Sequence, residues 1–392
     1  MEEAVWHFLL SETGQTKLAE LAALPLTEHN HLQVASRLRQ EMDSTLAQAA
    51  IETAVLRQRA TAKFSRASQM YFTRAALEQA SAEVIATHRA QRFFTAGVRL
   101  IADLGCGTGG DALALAEQAH VIGLDRDWLR LAMARENMRT YGRDHSFEPV
   151  QVDLTEIAPL AVEALFFDPA RRDAQGRRLR SVRQYQPPLD LLDRWLVKAT
   201  QAAVKISPGV DYQELPEDVE LEFISVAGDV REGVLWFGDL RGNNTRRATL
   251  LPQKQTVTDL DAPGARVAVT PPGAFLYEPD GAVIRAHLVQ HVARQIDATQ
   301  IDETIAYLTS NTLAASPFAR AYSIEAWFPF QLKRLRAYLR AQQVGDVVVK
   351  KRGSPLDPVV LRKQLRLSGS ETRVLFLTHV LGEPAVLIGQ AV

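Results

Sequence analysis

The sequence predicts an α/β protein: a parallel sheet built from strand–helix–strand units, preceded by a helical segment and followed by a second α/β region. Three observations carry this. The apolar run Leu100-Ile101-Ala102-Asp103-Leu104 ends in Gly105-Cys106-Gly107-Thr108-Gly109-Gly110-Asp111. A helical run follows, and a second apolar run, Val121-Ile122-Gly123-Leu124, ends in Asp125. That is a βαβ unit with a glycine-dense turn at its first strand end. Further apolar runs then alternate with spacers long enough for a helix. The segment from Met1 to about Phe94, by contrast, is rich in Ala, Leu, Glu, Gln and Arg and poor in β-branched runs.

With 392 residues the chain exceeds one ordinary domain, and 46% hydrophobic residues suffice for real cores. A formal net charge of −1 says nothing of partners, so the distribution of charge matters instead. The one cysteine, Cys106, lies inside the glycine turn. It excludes an intramolecular disulfide and a multi-cysteine metal site, so no metal is expected and a reducing, cytoplasmic location is. No apolar run reaches the ~18 residues of a membrane span. The start, Met1-Glu2-Glu3-Ala4, is acidic and unlike a signal peptide, so no membrane association is expected.

The helical segment shows Val34, Leu38 and Met42, then Leu46, Ala49, Ala50 and Ala54, at helical spacing. It reads as a bundle of four or five helices, residues 1–96. Lys63, Arg66 and Arg74 interleave with Phe64, Tyr71 and Phe72. They fit solvated cations beside core aromatics, or a surface where rings stack bases and cations meet phosphates. The sheet domain, residues 97–240, has strand-like runs at 100–104, 121–125, 148–152, 165–168, 203–207, 219–226 and 233–237. The last two flank the short turn Ala227-Gly228-Asp229 and form a hairpin. Beyond it, residues 241–326 read as an α+β linker or ferredoxin-like region and residues 327–392 as a basic domain. Strand-like runs fall at 247–251, 266–270, 347–350, 374–378 and 385–388, and helical patterns at 283–295, 329–342 and 358–365. Tyr277-Glu278-Pro279-Asp280-Gly281 reads as a turn before a helix.

The chemistry concentrates at strand ends. Gly105, Gly107 and Gly109 let backbone approach a ligand closely and allow φ > 0. Asp125, ending the second strand, is placed to accept hydrogen bonds from a ribose diol. The turn differs from the dinucleotide fingerprint G-x-G-x-x-G, and its acid, Asp103, would repel a pyrophosphate. It suits the cationic amino group of a methionine moiety, which favours S-adenosylmethionine as cofactor. Asp103-x-Gly105-x-Gly107-x-Gly109 resembles motif I of class I S-adenosylmethionine-dependent methyltransferases. The resemblance implies a Rossmann-like sheet of five parallel strands closed by an antiparallel hairpin. It also implies an adenine contact at Asp153, in Val152-Asp153-Leu154; the same residue fits a helix N-cap.

The fourth strand ends in Phe166-Phe167-Asp168-Pro169-Ala170-Arg171-Arg172, the catalytic place in class I enzymes. It is similar to the Asp/Asn-Pro-Pro-aromatic motif of enzymes that methylate exocyclic base nitrogens. There the carboxylate or amide and a proline carbonyl accept hydrogen bonds from the target amine, implying catalytic roles for Asp168 and Pro169. Ala170 and Arg171 depart from that motif, and Phe167 or Tyr185 would have to supply the stacking ring. The strand end also resembles RNA uracil-C5 methyltransferases. Those need a nucleophilic cysteine after the fifth strand, where this chain has Ile206-Ser207-Pro208-Gly209, so that chemistry is rejected.

Six arginines lie between positions 171 and 183, against one acid, Asp173. Among them Arg171, Arg172, Arg177 and Arg178 suggest a phosphate clamp, and Arg241, Arg246 and Arg247 would extend it. From Phe328 to Arg373 eleven basic residues face three acidic ones. Lys350, Lys351 and Arg352, followed by Gly353 and Asp357-Pro358, resemble the THUMP-like C-terminal domain of a bacterial methyltransferase family. The basic bias itself marks a nucleic-acid footprint.

The reading is therefore an RNA-directed methyltransferase acting on a base nitrogen, in tRNA or rRNA. Its rivals are a methyltransferase for a protein or small metabolite, and a non-catalytic RNA-binding module with a cofactor pocket. The oligomeric state is not readable from the sequence.

Overall fold

A computed structural model describes residues 2–24, 26, 31–170, 177, 179 and 181–392. They form two compact units: Met1–Val219 with Val234–Gly242, and Glu220–Gly233 with Asn243–Val392.

The first unit opens with helices α1 (Glu3–Leu10), α2 (Glu12–Ala22), α3 (His31–Glu41), α4 (Ser44–Ala60), α5 (Arg74–Gln79) and α6 (Glu83–Thr95). Side-chain caps define several starts: Ser11 accepts from Gly14 N–H, and Asp43 from Thr45 and Leu46 N–H. The apolar faces of α1–α4 meet in a core containing Trp6, Leu9, Leu38, Ile51 and Tyr71. Phe64, Tyr71 and Phe72 are all buried. Lys63 Nζ donates to the carbonyls of Leu77 and Ala80, each at 2.7 Å. These aromatics are core, so a base-stacking surface is not what they build.

The sheet of this unit comprises β1 (Leu100–Leu104), β2 (His120–Asp125), β3 (Phe147–Gln151), β4 (Ala164–Phe167) and β5 (Gln201–Ile206). Between them lie α7 (Gly110–Leu115), α8 (Trp128–Tyr141) and α9 (Leu191–Trp195). The order is β3-β2-β1-β4-β5, and all four pairings are parallel. The order reverses between β1 and β4, the switch point where open α/β sheets bind ligands beyond the strand ends. The sequence-read strands agree within one or two residues, the largest shift being the start of β5, read at 203 and found at Gln201. Leu129 and Met133 of α8 join the helical core, so the N-terminal helices pack on α8.

The second unit contains most of a hairpin, β6 (Glu220–Val226) and β7 (Asp229–Phe237). The turn residues Ala227 and Gly228 both have positive φ. The C-terminal part of β7, Val234–Phe237, belongs to the first unit, where β7 follows β5 in the sheet. Parallel to β6 runs β8 (Arg246–Leu251), and antiparallel to that β9 (Gln255–Thr258). A seven-stranded sheet has the order β11-β12-β10-β13-β16-β15-β14. Its strands are β10 (Phe275–Pro279), β11 (Thr299–Asp302), β12 (Ile305–Ser310), β13 (Ala319–Pro329), β14 (Val344–Lys351), β15 (Glu371–Val380) and β16 (Glu383–Ala391). The helical pattern at 283–295 is two helices, α10 (Gly281–Arg285) and α11 (Val289–Gln295), broken where His287 takes φ 59°. The stretch 266–270 forms no strand, only a bridge from Val269 to Gln300. Tyr277-Glu278-Pro279, expected as a turn, is the end of β10, and Asp280 then caps α10. On one face of the sheet α12 (Leu332–Ala341) and α13 (Pro358–Leu365) bury Leu335, Leu339, Leu361 and Leu365. No helix of the described residues is long and apolar enough to cross a membrane.

Candidate active site

The glycine turn follows β1. Gly105, Gly107 and Gly109 have φ of 84°, 56° and 83°, a region that penalises any side chain. Asp125 holds the turn from the next strand: its Oδ2 accepts from Gly107 N–H at 3.0 Å and its Oδ1 from Asp127 N–H at 2.9 Å. Each carboxylate oxygen keeps a second lone pair. Asp103 is buried in β1, and its Oδ2 has no hydrogen-bond partner among the described residues. Burial first, then the negative charges of Asp111 and Asp168, push its carboxyl well above the ordinary range; Arg89 opposes the shift.

Elements outside the sheet brace this loop. Arg89 of α6, itself buried, pairs with Asp111 in the first turn of α7, and its Nη2 donates to Ser81 Oγ at 2.9 Å. Asn137 of α8 is fully buried. It accepts from Tyr71 N–H at 2.8 Å and donates to the carbonyls of Tyr71 and Thr108 at 3.0 and 2.8 Å. One amide thus ties helical segment, α8 and turn together. Asn137→Ala leaves three buried backbone groups unpaired, so it should cost about 3 kcal/mol in urea unfolding. A loss below about 1 kcal/mol would contradict that bracing role.

Asp168 stands just beyond β4. Lys205 of β5, 3% exposed at its side chain, places Nζ 2.6 Å from Asp168 Oδ2 and 3.4 Å from the Gln79 carbonyl. The Asp168 carbonyl lies 3.6 Å from where a Cβ on Gly105 would sit, so the two strand ends converge. Pro169 is buried. Ala170 forms a two-way bridge with Gln186, Ala170 N–H donating at 2.8 Å and Gln186 N–H at 3.1 Å. The rings expected to stack a base are not available for it. Phe167 is fully buried, edge-on to Trp195 at 5.3 Å; Tyr185 is buried and its hydroxyl accepts from Ser207 N–H at 3.1 Å. Asp153 is exposed after β3, where its Oδ1 accepts from Thr155 N–H and Oγ1 at 2.9 and 2.8 Å. Those bonds lower its pKa, the backbone one most.

Of the arginine cluster, Arg171, Arg172 and Arg178 lie outside the described residues, and Arg177 is exposed. Arg241 is 3.7 Å from Asp218, and Arg247 pairs at 2.5 Å with the fully buried Glu220. In the second unit Lys350 and Arg352 share one side of β14 and its continuation, as the two-residue period requires. There they meet Glu278, Lys350 in a short ion pair and Arg352 at 4.0 Å, and lie over the rings of Tyr322 and Tyr307. Burial raises the Tyr307 hydroxyl to about 12. Lys351 points the other way and is exposed, donating to the Leu356 carbonyl at 3.3 Å. Lys333, Arg334 and Arg340 of α12, with Lys363 and Arg366 of α13 and its end, are exposed. Arg362 and Arg373 instead pair with Asp346 and Glu325.

Lys205, Arg89, Asp111 and Asn137 escaped the reading of the sequence. Lys205 did leave a signal: a lysine inside an apolar strand must find a partner. Among the described residues no group of His, Cys, Asp and Glu side chains could hold a metal ion.

Comparison with known proteins bears on the family and the fold. Three family descriptions match: a methyltransferase domain at residues 101–168, a THUMP domain-like region at 319–391, and a domain of unknown function at 3–60. An "uncharacterized S-adenosylmethionine-dependent methyltransferase" of Mycobacterium tuberculosis, matched from strains CDC 1551 / Oshkosh and H37Rv, is 37% identical over 343 residues. The match covers 84% of this chain and 92% of the relative. A crystallised candidate methyltransferase from Porphyromonas gingivalis W83 is 19% identical and superposes with a TM-score of 0.75. It covers 94% of this chain and all of that one, a likeness of fold. The chain belongs to the S-adenosylmethionine-dependent methyltransferases, class I in fold, with a THUMP-like C-terminal domain and S-adenosylmethionine as cofactor.

Proposed function

We propose that this methyltransferase acts on RNA, at a base nitrogen of tRNA or rRNA, with Asp168 and the Pro169 carbonyl receiving the acceptor's hydrogens. The observation that carries RNA is the exposed basic face of α12 and α13, Lys333, Arg334, Arg340, Lys363 and Arg366, opposite their buried leucines. Cations on one side of two helices suit a phosphate backbone.

The residues of the turn fit the cofactor. The partnerless buried Oδ2 of Asp103 would receive the ammonium of the methionine moiety. A Cβ on Gly107 would meet nothing within 4 Å, so the loop is open beside it. Asp125 would take the ribose and Asp153, whose bonds from Thr155 fall on Oδ1, the adenine amino group. When bound, S-adenosylmethionine supplies an electrophilic methyl on a sulfonium. The protein's part is to orient the acceptor by accepting its hydrogen bonds, which is most of the catalysis in a direct displacement. Arg171, Arg172, Arg177 and Arg178, and Lys351 at the β14 end, would add phosphate contacts; Lys350 and Arg352 would do so only through their exposed fractions.

A second reading, a ribose hydroxyl as acceptor, is favoured by the burial of Phe167 and Tyr185, which keeps both rings from stacking a base. Nucleoside analysis of the methylated product separates the two.

Salt tests the RNA reading itself. Affinity for bulk tRNA or rRNA in filter binding should fall steeply between about 50 and 200 mM salt, by about 0.7–0.9 log units per log unit of salt for each phosphate engaged. Reversing Lys333, Arg340 and Lys363 to glutamate should weaken it about tenfold or more and flatten the slope. RNA affinity indifferent to salt and to these changes would point to a protein or small-metabolite acceptor.

A further inference from the structure

Lys205 sits where a lysine is expensive. It lies in β5 among Ala202, Ala203, Val204 and Ile206, all fully buried, and its own side chain is 3% exposed. A buried ammonium persists only when its charge is met, and what meets it is Asp168 Oδ2 at 2.6 Å. The Gln79 carbonyl at 3.4 Å is a weaker second partner. Asp168 therefore does not stand free at the strand end. One of its two carboxylate oxygens is committed to a rigid element of the sheet.

The neighbourhood explains why such an anchor is useful. Asp103 on β1, Asp111 on α7 and Asp125 on β2 crowd the same corner, and Arg89 on α6 is already committed to Asp111. A carboxylate on a short loop, surrounded by other carboxylates, would turn away from them. A site for methyl transfer needs it held still, because placement within about half an ångström decides the rate.

We propose that Lys205 is the positioning residue of the methyl-transfer site: its ammonium fixes Asp168 through Oδ2, so that Oδ1 is the oxygen presented to the acceptor's N–H or O–H. The inference rests on the reading of Asp168 as the acceptor-orienting residue. It assigns a role to β5 that the fourth-strand motif does not contain. It also gives the C-terminal end of α5 a part in the site, since its last residue, Gln79, supplies the second contact to Nζ.

The test uses the full-length protein and three variants: Lys205→Met, which removes the charge at similar length, Lys205→Gln, which keeps a donor, and Lys205→Arg, which keeps the charge. Crystal structures of those that fold report the carboxylate directly. In Lys205→Met, and in Lys205→Gln, whose donor is neutral and one atom short of Nζ, Asp168 should rotate, its Oδ2 moving by about 1 Å or more. Transfer of labelled methyl to total RNA from a strain lacking the protein should fall about 10²-fold. Cofactor affinity by calorimetry should stay within about twofold. Lys205→Arg should recover part of the rate, which mere filling of the strand would not produce. An unmoved Asp168 carboxylate in either uncharged variant, or a full rate in one that folds, overturns the proposal. If the wild-type protein labels no RNA, the RNA reading fails instead, and the position of Asp168 in the variant crystals still decides the role of Lys205.

Discussion

Asp168→Ala should abolish methyl transfer, with a loss of at least about 10³-fold, while the cofactor still binds with near-normal affinity. The carboxylate sits at the end of β4, against the glycine turn, and its proposed role is to hold the acceptor rather than the cofactor. The alanine variant also strands the Lys205 ammonium in the sheet. That is expected to cost about 3–5 kcal/mol of stability, as when one partner of a buried pair is removed. Asp168→Asn separates the two effects, because the amide keeps the shape and can still accept from Lys205 through its oxygen. Its transfer rate should also collapse, with a smaller loss of stability. Calorimetry for the cofactor and urea unfolding for the protein measure the parts separately. Full turnover in either variant would remove Asp168 from the reaction.

Asp103→Asn should weaken cofactor binding about 10–100-fold, the worth of a charge-assisted hydrogen bond in a buried site. It should also erase a pH dependence. Burial raises the Asp103 carboxyl well above its ordinary value, with the charges of Asp111 and Asp168 adding to the effect. The protonated form is thus the stable one in the empty site up to that raised value. The stability Asp103 contributes is fully present at low pH and is lost as pH rises through the folded-state titration. Binding a cationic amino group requires the carboxylate. Below the folded pKa each cofactor bound should therefore release one proton, and affinity should climb about tenfold per pH unit before levelling off. Calorimetry in two buffers of different ionisation enthalpy counts that proton. A pH-independent affinity in the wild type, or an unchanged one in Asp103→Asn, would assign the ammonium to another group.

Much of the first unit was legible because its signals are local. The glycine turn, the strand-ending Asp125 and the parallel runs are written in contiguous residues, and β1, β2, β4 and β5 appeared where expected. The parts that hold the site together are not local. Lys205 and Asp168 lie on different strands, Arg89 reaches Asp111 from another helix, and Asn137 reaches Tyr71 across 66 positions. No periodicity links such pairs; only the oddity of a charge in an apolar run betrays one of them. In the second unit, β13 alternates poorly because eight of its eleven residues are exposed or partly exposed. β10 runs straight into the Pro279-Asp280-Gly281 sequence, which reads as a turn and marks the end of the strand and the cap of α10. Lys350 and Arg352 looked like surface cations because β14 gives no hint that Glu278, far earlier in the chain, faces them.

The most direct test of the central claim is transfer of labelled methyl from S-adenosylmethionine to total RNA of a strain lacking this protein, with RNase and protease controls and with Asp168→Asn alongside. RNase-sensitive label that disappears with Asp168→Asn is the predicted result, and digestion to nucleosides then gives the methylated atom. Label that survives RNase but not protease, or no label where calorimetry shows the cofactor bound, would contradict an RNA acceptor.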